Sequence, residues 1–138
     1  MNNFQIMNKK ILFIEDDLVI RFTTNKQLQK WGFEITVKED GYQAYEFLMS
    51  TPTLPDLIIT DIMMPNMSGI ELANFIRGEK RLKNIPIIAI TALNEEDLSK
   101  DDLPIFDLVI TKPTFAHVLK REITQILKLN DLGLQEKY

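Results

Sequence analysis

Four short apolar runs in the sequence each lead into polar residues that can bind a metal ion or a phosphoryl group. In a parallel sheet, functional groups gather just beyond the carboxyl ends of the strands. If these runs are neighbouring strands, two carboxylates after the first run and one after the second meet a hydroxyl and an ammonium at one edge. The runs are 10–14, 56–60, 87–90 and 108–111, and the residues after them are Glu15-Asp16-Asp17, Asp61, Thr91 and Lys112-Pro113.

This set of side chains predicts phosphoryl transfer to a carboxylate. Clustered acidic groups repel one another unless they share a cation or a proton, and Mg²⁺ suits them because it takes a few carboxylate oxygens and keeps several waters. An aspartate beside such an ion, in line with a phosphoryl donor, can attack phosphorus and form an acyl phosphate. Thr91 can donate a hydrogen bond to one phosphoryl oxygen, and Lys112 can supply a positive charge to another.

Composition limits the class of protein. The 138 residues suit one domain, with 45% hydrophobic and 26% charged residues. A net charge of -4 argues against direct nucleic-acid binding, and the absence of cysteine excludes disulfides and thiolate metal sites. The single histidine cannot form a histidine cluster. With neither a membrane-length apolar run nor a signal peptide, the cytoplasm is the expected location.

The apolar runs alternate with stretches of helical period, which predicts βαβ units and a parallel sheet. A capping box, Ser68 with Glu71, predicts the start of the third helix, and Thr114 is expected to cap the last helix, with Phe115 on its buried side. The basic stretch 77–83 is interpreted as a solvated helix end. Strands are predicted at 10–14, 34–37, 56–60, 87–90 and 108–110, and helices at about 18–31, 41–49, 68–77 and after 114.

The weakest element lies between residues 94 and 107. One or two helical turns are expected at 95–100, and Pro104 blocks a longer helix. We therefore expect this fourth helix to be short or irregular.

Taken in order, these motifs resemble the receiver domain of bacterial response regulators. The matching pieces are strand–Glu15-Asp16, strand–Asp61 followed by Ile-Met-Met-Pro-Asn-Met-Ser-Gly, strand–Thr91-Ala92 and strand–Lys112-Pro113. The resemblance implies a flavodoxin-like, doubly wound α/β fold with five parallel strands in the order 2-1-3-4-5. It covers residues 9–129, with 1–8 as an N-terminal extension and 130–138 as a C-terminal tail.

The resemblance also implies roles for individual residues. Asp61 is the phosphoacceptor, Thr91 and Lys112 act on the phosphoryl group, and the bond before Pro113 is expected to be cis. Mg²⁺ is the implied cofactor, with Glu15 ligating directly or through water. The implied ligands are Glu15, Asp16, Asp61 and the backbone carbonyl of Met63.

Arg21 indicates which of the consecutive acidic residues correspond to the acidic pair of the family. It resembles the basic residue often found five places after the second acidic position of the family, which is then Asp16. Asp17 is therefore expected outside the metal site.

Two departures from the family pattern concern signal output. Val109 stands where the family often has an aromatic residue that swings inward, and 103–107 replaces a Gly-Ala-Asp-like turn. We therefore hypothesise that the 94–107 segment orders or loosens on phosphorylation. Met63 and Leu93 are apolar and offer no group to orient an attacking water, so we expect a persistent acyl phosphate.

The resulting interpretation is a phosphoacceptor that receives its phosphoryl group from a histidine kinase or phosphotransfer protein and signals to a downstream protein. No membrane partner is expected, and a homodimer is left open. The chain is interpreted as a stand-alone module, although a receiver from a hybrid kinase has the same features. The alternatives are a phosphorylation-independent interaction module and a Mg²⁺-dependent phosphohydrolase. The hydrolase is disfavoured by Met63, which stands where a second carboxylate is needed, and by the lack of room for a cap domain.

Overall fold

The computed structural model of the protein describes residues 8–92 and 98–132, with side chains as far as Lys128. Strands and helices alternate along these residues, as the sequence predicts. The elements are β1 (Lys10–Ile14), α1 (Leu18–Lys30), β2 (Glu34–Lys38), α2 (Gly41–Ser50), β3 (Leu57–Thr60), α3 (Gly69–Gly78), β4 (Ile87–Thr91), a 3-10 helix (Leu103–Ile105), β5 (Leu108–Thr111) and α4 (Ala116–Leu132).

The five strands form one parallel sheet in the order β2-β1-β3-β4-β5, which confirms the flavodoxin-like topology. The register pairs Ile14 with Thr60 across β1 and β3. It also pairs Thr91 with Thr111 across β4 and β5. The residues that follow these four strands therefore emerge at the same edge of the sheet.

Each face of the sheet carries its own hydrophobic core, because successive side chains of a strand point to opposite faces. Leu12 and Ile14 of β1 pack in one core with residues of α2 and α3, including Leu48 and Leu72. Ile11, Phe13 and Ile59 belong to the other core. That second core is completed by Leu28 of α1 and by Leu119, Ile123 and Leu127 of α4.

Local signals in the sequence set most helix boundaries. The capping box predicted for α3 is present, with Ser68 Oγ accepting a hydrogen bond from the Glu71 amide at 3.1 Å. Asp40 caps α2 in the same way. Gly32 follows α1 with φ of +103°, a left-handed conformation that favours glycine.

Two expectations for the last helix are wrong. Phe115 is 69% exposed and stacks on His117, because α4 begins only at Ala116 and Phe115 precedes its helical period. The Thr114 Oγ atom is buried but has no hydrogen-bond partner among the described residues, so it does not cap the helix.

The segment before β5 is held by packing and by Arg77. Leu98 and Phe106 are buried in the core on the α3 side of the sheet. The Arg77 guanidinium donates to the carbonyls of Ile105, Lys83 and Ile85 and to Asp107. The interpretation of 77–83 as a solvated end is therefore wrong for Arg77.

Arg81, in the same basic stretch, also has a structural role, since it donates to the carbonyls of Leu48 and Thr51. Most of the short helix expected at 95–100 lies outside the described residues, and 98–100 is not helical. No helix in the part of the chain described here has both the length and the apolar character needed to cross a membrane.

Candidate phosphoacceptor and metal site

The acidic residues that follow β1 and β3 form one cluster. The Asp61 amide donates to the Ile14 carbonyl at 3.2 Å, so the chain leaves the two strands side by side. One carboxylate oxygen from each of Glu15, Asp16 and Asp61 lies within 4.8 Å of the others. Hard oxygen donors at this spacing fit a hard divalent cation such as Mg²⁺.

Lys112 joins this cluster from the end of β5. Its Nζ lies 2.8 Å from Glu15 Oε1 and 2.7 Å from Asp61 Oδ2. Glu15 and Asp61 are almost fully buried, at 2% and 7% exposure. With every group ionised, three carboxylates and one ammonium leave two negative charges, which a divalent cation would neutralise.

Burial governs the electrostatics of Glu15. It disfavours the charged carboxylate and raises the pKa of Glu15, although the hydrogen bonds from Lys112 and from the Asp17 amide act in the opposite direction. Burial alone would lower the pKa of Lys112, but its hydrogen bonds to Asp61 and Glu15 outweigh that effect and raise it. Lys112 is therefore a charged ammonium at neutral pH.

The Asp61 side chain is oriented by backbone amides. Its Oδ1 accepts from the amides of Ile62 at 2.6 Å and Met63 at 3.4 Å. Gly69 allows the following loop to close on Asp61, because a Cβ at this position would lie 2.2 Å from the Asp61 carbonyl oxygen. One oxygen of the carboxylate is thus held by amides and the other by Lys112.

Asp17 faces α1 and caps it, accepting from the Ile20 amide at 2.9 Å. Arg21 donates to the carbonyls of Glu15 at 3.0 Å and Asp16 at 3.2 Å, and so fixes the backbone of the acidic pair. Asp17 is therefore not among the three clustered carboxylates, Glu15, Asp16 and Asp61.

Of the remaining predicted residues, Thr91 and Pro113 lie at the same edge of the sheet. Thr91 is fully buried at the end of β4, and its carbonyl accepts from the Lys112 amide at 2.7 Å. The Lys112-Pro113 peptide bond is cis, as expected. Met63 is 65% exposed. Leu93 lies outside the described residues.

A cavity of about 420 Å³ opens beside the cluster, between α1 and the start of α4. Glu15, Asp61 and Lys112 line it together with apolar side chains such as Phe13 and Leu119. The cavity leaves room for a small molecule or a side chain of a partner beside the two buried carboxylates.

The sequence did not reveal a further hydrogen bond beside the site. Asn66, five residues after Asp61, donates from Nδ2 to Asp40 Oδ2 at 2.7 Å. The only local signal is an asparagine, which tolerates positive φ, after Pro65. Its partner is distant in sequence and no local pattern identifies it.

Comparison with known proteins assigns the family. The family model described as the response regulator receiver domain matches residues 11–124. The chain belongs to the response regulator receiver domain family. It is therefore a receiver domain of two-component systems, a family of signalling phosphoacceptor domains.

Two curated relatives illustrate the range of proteins that carry this domain. The receiver is 38% identical to the response regulator receiver protein CpdR of Brucella abortus, over 86% of this chain and 97% of CpdR. It is 33% identical to the phosphate regulon transcriptional regulatory protein PhoB of Pseudomonas aeruginosa, over 95% of this chain. The chain spans only 57% of the length of PhoB.

A solved structure agrees with the fold and carries a metal. The response regulator TrrA of Thermotoga maritima, solved in complex with Mg²⁺–BeF, superposes with a TM-score of 0.75 at 32% identity. The match covers 86% of this chain and 98% of that structure.

Proposed function

We propose that Asp61 of this receiver accepts a phosphoryl group from a phosphohistidine of a histidine kinase or phosphotransfer protein. A carboxylate oxygen of Asp61 attacks phosphorus, the P–N bond breaks, and the imidazole leaves with the electron pair and takes up a proton. The observation that carries the proposal is the setting of Asp61: a buried carboxylate that is held by amides and by Lys112, clusters with further carboxylates and lines a cavity.

We propose Mg²⁺ as the cofactor, because the donor set consists of oxygen atoms and carries the charge that a divalent cation neutralises. When bound, the ion supplies positive charge where the oxygens of the donor and the acceptor carboxylate meet. Its ligands would be Glu15, Asp16, Asp61 and the backbone carbonyl of Met63.

Lys112 and Thr91 complete the proposed chemistry. The Lys112 ammonium orients the Asp61 carboxylate before transfer, and it can move its hydrogen bond from the carboxylate to a phosphoryl oxygen afterwards. Thr91 stands at the end of the adjacent strand, where its hydroxyl would donate to another phosphoryl oxygen. The acyl phosphate would persist, since the exposed Met63 thioether offers no group to orient water.

The receiver unit is proposed to span residues 9–129, between an extension at 1–8 and a tail at 130–138. The family match over residues 11–124 and the start of β1 at Lys10 support the first boundary. Helix α4 continues to Leu132, three residues past the second boundary. A downstream protein would read the phosphorylated state.

One specific observation favours a second candidate, a receiver-like module that signals without phosphorylation. Val109 is half-buried against the core on the α3 side of the sheet, where a valine cannot perform the rotamer change of an aromatic residue. The complete set of Glu15, Asp16, Asp61, Thr91 and Lys112 favours phosphotransfer. A phosphohydrolase is disfavoured, because Met63 cannot act as its second acid or base.

Intact mass spectrometry separates these functions. The full chain is incubated with Mg²⁺ and a small acyl phosphate donor, alongside the variant Asp61→Asn. A phosphoryl adduct in wild type alone is expected. Donor turnover without an adduct would indicate the hydrolase, and no reaction would indicate the phosphorylation-independent module.

A further inference from the structure

The loop between Asp61 and α3 contains a sharp turn at Asn66. This residue has φ of +69°, and the amide of Met67 donates to the carbonyl of Pro65 at 2.7 Å. A hydrogen bond between residues i and i+2 around a positive φ defines the rarer, strained form of γ-turn. Such strain persists only where surrounding contacts hold it.

Asp40 supplies the contact that holds this turn. Asp40 is 7% exposed, and its Oδ2 accepts from Asn66 Nδ2 at 2.7 Å. Its other oxygen caps α2 by accepting from the Gln43 amide at 2.8 Å. One buried carboxylate therefore anchors the loop after β3 to the start of α2.

The backbone packs equally closely at this junction. A Cβ at Gly41 would lie 2.1 Å from the carbonyl oxygen of Met67. The start of α2 thus rests directly on the residue that follows Asn66, and only glycine allows this approach. The hydrogen bond and the backbone contact hold two successive residues of the loop.

The same junction also supports the acidic pair after β1. The Glu15 amide donates to the Lys38 carbonyl at 3.2 Å. Arg21, which binds the carbonyls of Glu15 and Asp16, also lies 3.8 Å from Glu39 Oε1. Residues 38–41 therefore contact both loops that carry the clustered carboxylates, although they supply none of the carboxylates themselves.

We propose that Asp40 and Asn66 are a positioning pair that sets the loop carrying the backbone carbonyl of Met63 toward the acidic cluster. The inference rests on the proposed function, since it assigns the pair a role in Mg²⁺ binding. Mg²⁺ demands near-ideal octahedral geometry, so a displaced carbonyl weakens binding while the three carboxylates stay intact. Loss of a supporting hydrogen bond around metal ligands typically costs 10–100-fold in affinity, and about tenfold is expected here.

Two substitutions break the pair from opposite sides. Asp40→Ser keeps a residue that caps helices well, but its side chain is too short to reach Asn66. Asn66→Ala removes the donor without changing the net charge, so its effect on Mg²⁺ affinity cannot come from a lost charge. Each is expected to raise the Mg²⁺ Kd of the full chain about tenfold in isothermal titration calorimetry, and the double variant no further than the single ones. Asn66→Gly removes the same donor but tolerates the positive φ, so it should show the same loss without the backbone strain that alanine adds.

The matched control is Ser68→Ala, which weakens the same loop from its other end. Ser68 caps α3 and makes no contact with Asp40 in the described hydrogen bonds. This variant should unfold at lower urea concentration in Mg²⁺-free buffer but bind Mg²⁺ within twofold of wild type. Mg²⁺ titrations use only variants that their urea unfolding curves show to be folded. Asn66→Gly replaces Asp40→Ser or Asn66→Ala if either of them is unfolded.

The outcomes separate this inference from the proposed function. Wild type that binds no Mg²⁺ would overturn both. Wild type that binds, with Asp40→Ser and Asn66→Ala inside twofold of it, would overturn the positioning pair alone. An equal loss in Ser68→Ala would also overturn it, because general weakening of the loop would then explain the effect.

Discussion

At the scale of single residues, the Lys112 ammonium lies within hydrogen-bond distance of Glu15 and Asp61, the two buried carboxylates of the acidic cluster. Burying like charges is unfavourable unless a cation compensates them. The ammonium therefore stabilises the metal-free fold and also orients the Asp61 carboxylate. Because its pKa is raised, this contribution is complete at neutral pH and is lost only at alkaline pH, as the pH rises through the raised pKa.

Lys112→Ala should lower the free energy of unfolding by roughly 2 kcal/mol in Mg²⁺-free buffer at neutral pH, because Glu15 and Asp61 lose their shared cation. Added Mg²⁺ should restore part of this loss, since it supplies the missing positive charge. Urea unfolding with and without Mg²⁺ measures both effects. The control is Lys10→Ala, whose ion pair with Glu34 is exposed and should contribute less to the free energy of unfolding than the contacts of Lys112. Equal losses in the two variants would contradict the role of Lys112.

Met63→Asn should shorten the lifetime of the acyl phosphate without preventing its formation. The substitution leaves the backbone carbonyl in place and adds an amide that can orient an attacking water. Removal of excess donor followed by timed intact mass spectra gives the rate of phosphate loss. An unchanged rate would contradict the proposal that the apolar side chain prolongs the adduct.

At the scale of elements, Arg77 ties three segments together. Its guanidinium donates hydrogen bonds to the 3-10 helix, to the loop before β4 and to Asp107. Asp107 Oδ2 also accepts a hydrogen bond from the Ile87 amide at 2.7 Å. The planar fork of arginine satisfies several acceptors at once, which a lysine cannot do. Residues 103–107, which depart from the family pattern, are therefore held against α3 by Arg77.

Arg77→Ala should destabilise the fold by roughly 2–3 kcal/mol, because several hydrogen bonds from one charged group are lost. Amide hydrogen exchange should accelerate in residues 98–107, and Arg77→Lys should not restore protection. Arg121→Ala is the control, since Arg121 pairs only with its neighbour Glu122 in the described ion pairs. Unchanged exchange in 98–107 would show that core packing alone holds the segment.

The hypothesis that segment 94–107 responds to phosphorylation stays a prediction. Hydrogen exchange is compared with and without Mg²⁺ and beryllofluoride, a mimic of the phosphoryl group. Changed protection in residues 98–107 is expected, because the segment joins β4, which ends at Thr91, to β5, which leads to Lys112. Identical protection would contradict the hypothesis.

At the scale of the whole molecule, local sequence patterns predicted the sheet and the converging residues. The alternation of strands and helices indicated a parallel sheet, and parallel topology brings the polar residues that follow the strands to one edge. The order of the strands came from the family resemblance, not from the pattern. The boundaries of α1 and α3 followed from Gly32 and from the capping box at Ser68.

Contacts between distant segments could not be predicted in this way. Arg77 looked like a solvated residue because its acceptors are backbone carbonyls, which every sequence contains. The Asp40–Asn66 bond joins two loops that become adjacent only through the order of the strands. Phe115 looked like a core residue because the start of α4 was predicted to include it.

The most direct test of the central claim locates the phosphoryl group within the chain. The receiver is phosphorylated with a small acyl phosphate in Mg²⁺, then treated with sodium borohydride, which reduces an aspartyl phosphate to homoserine. Peptide mass spectrometry should find homoserine at position 61 and aspartate at positions 16 and 17. Homoserine at either of those neighbours, or no reduction at Asp61 in a phosphorylated sample, would contradict the account.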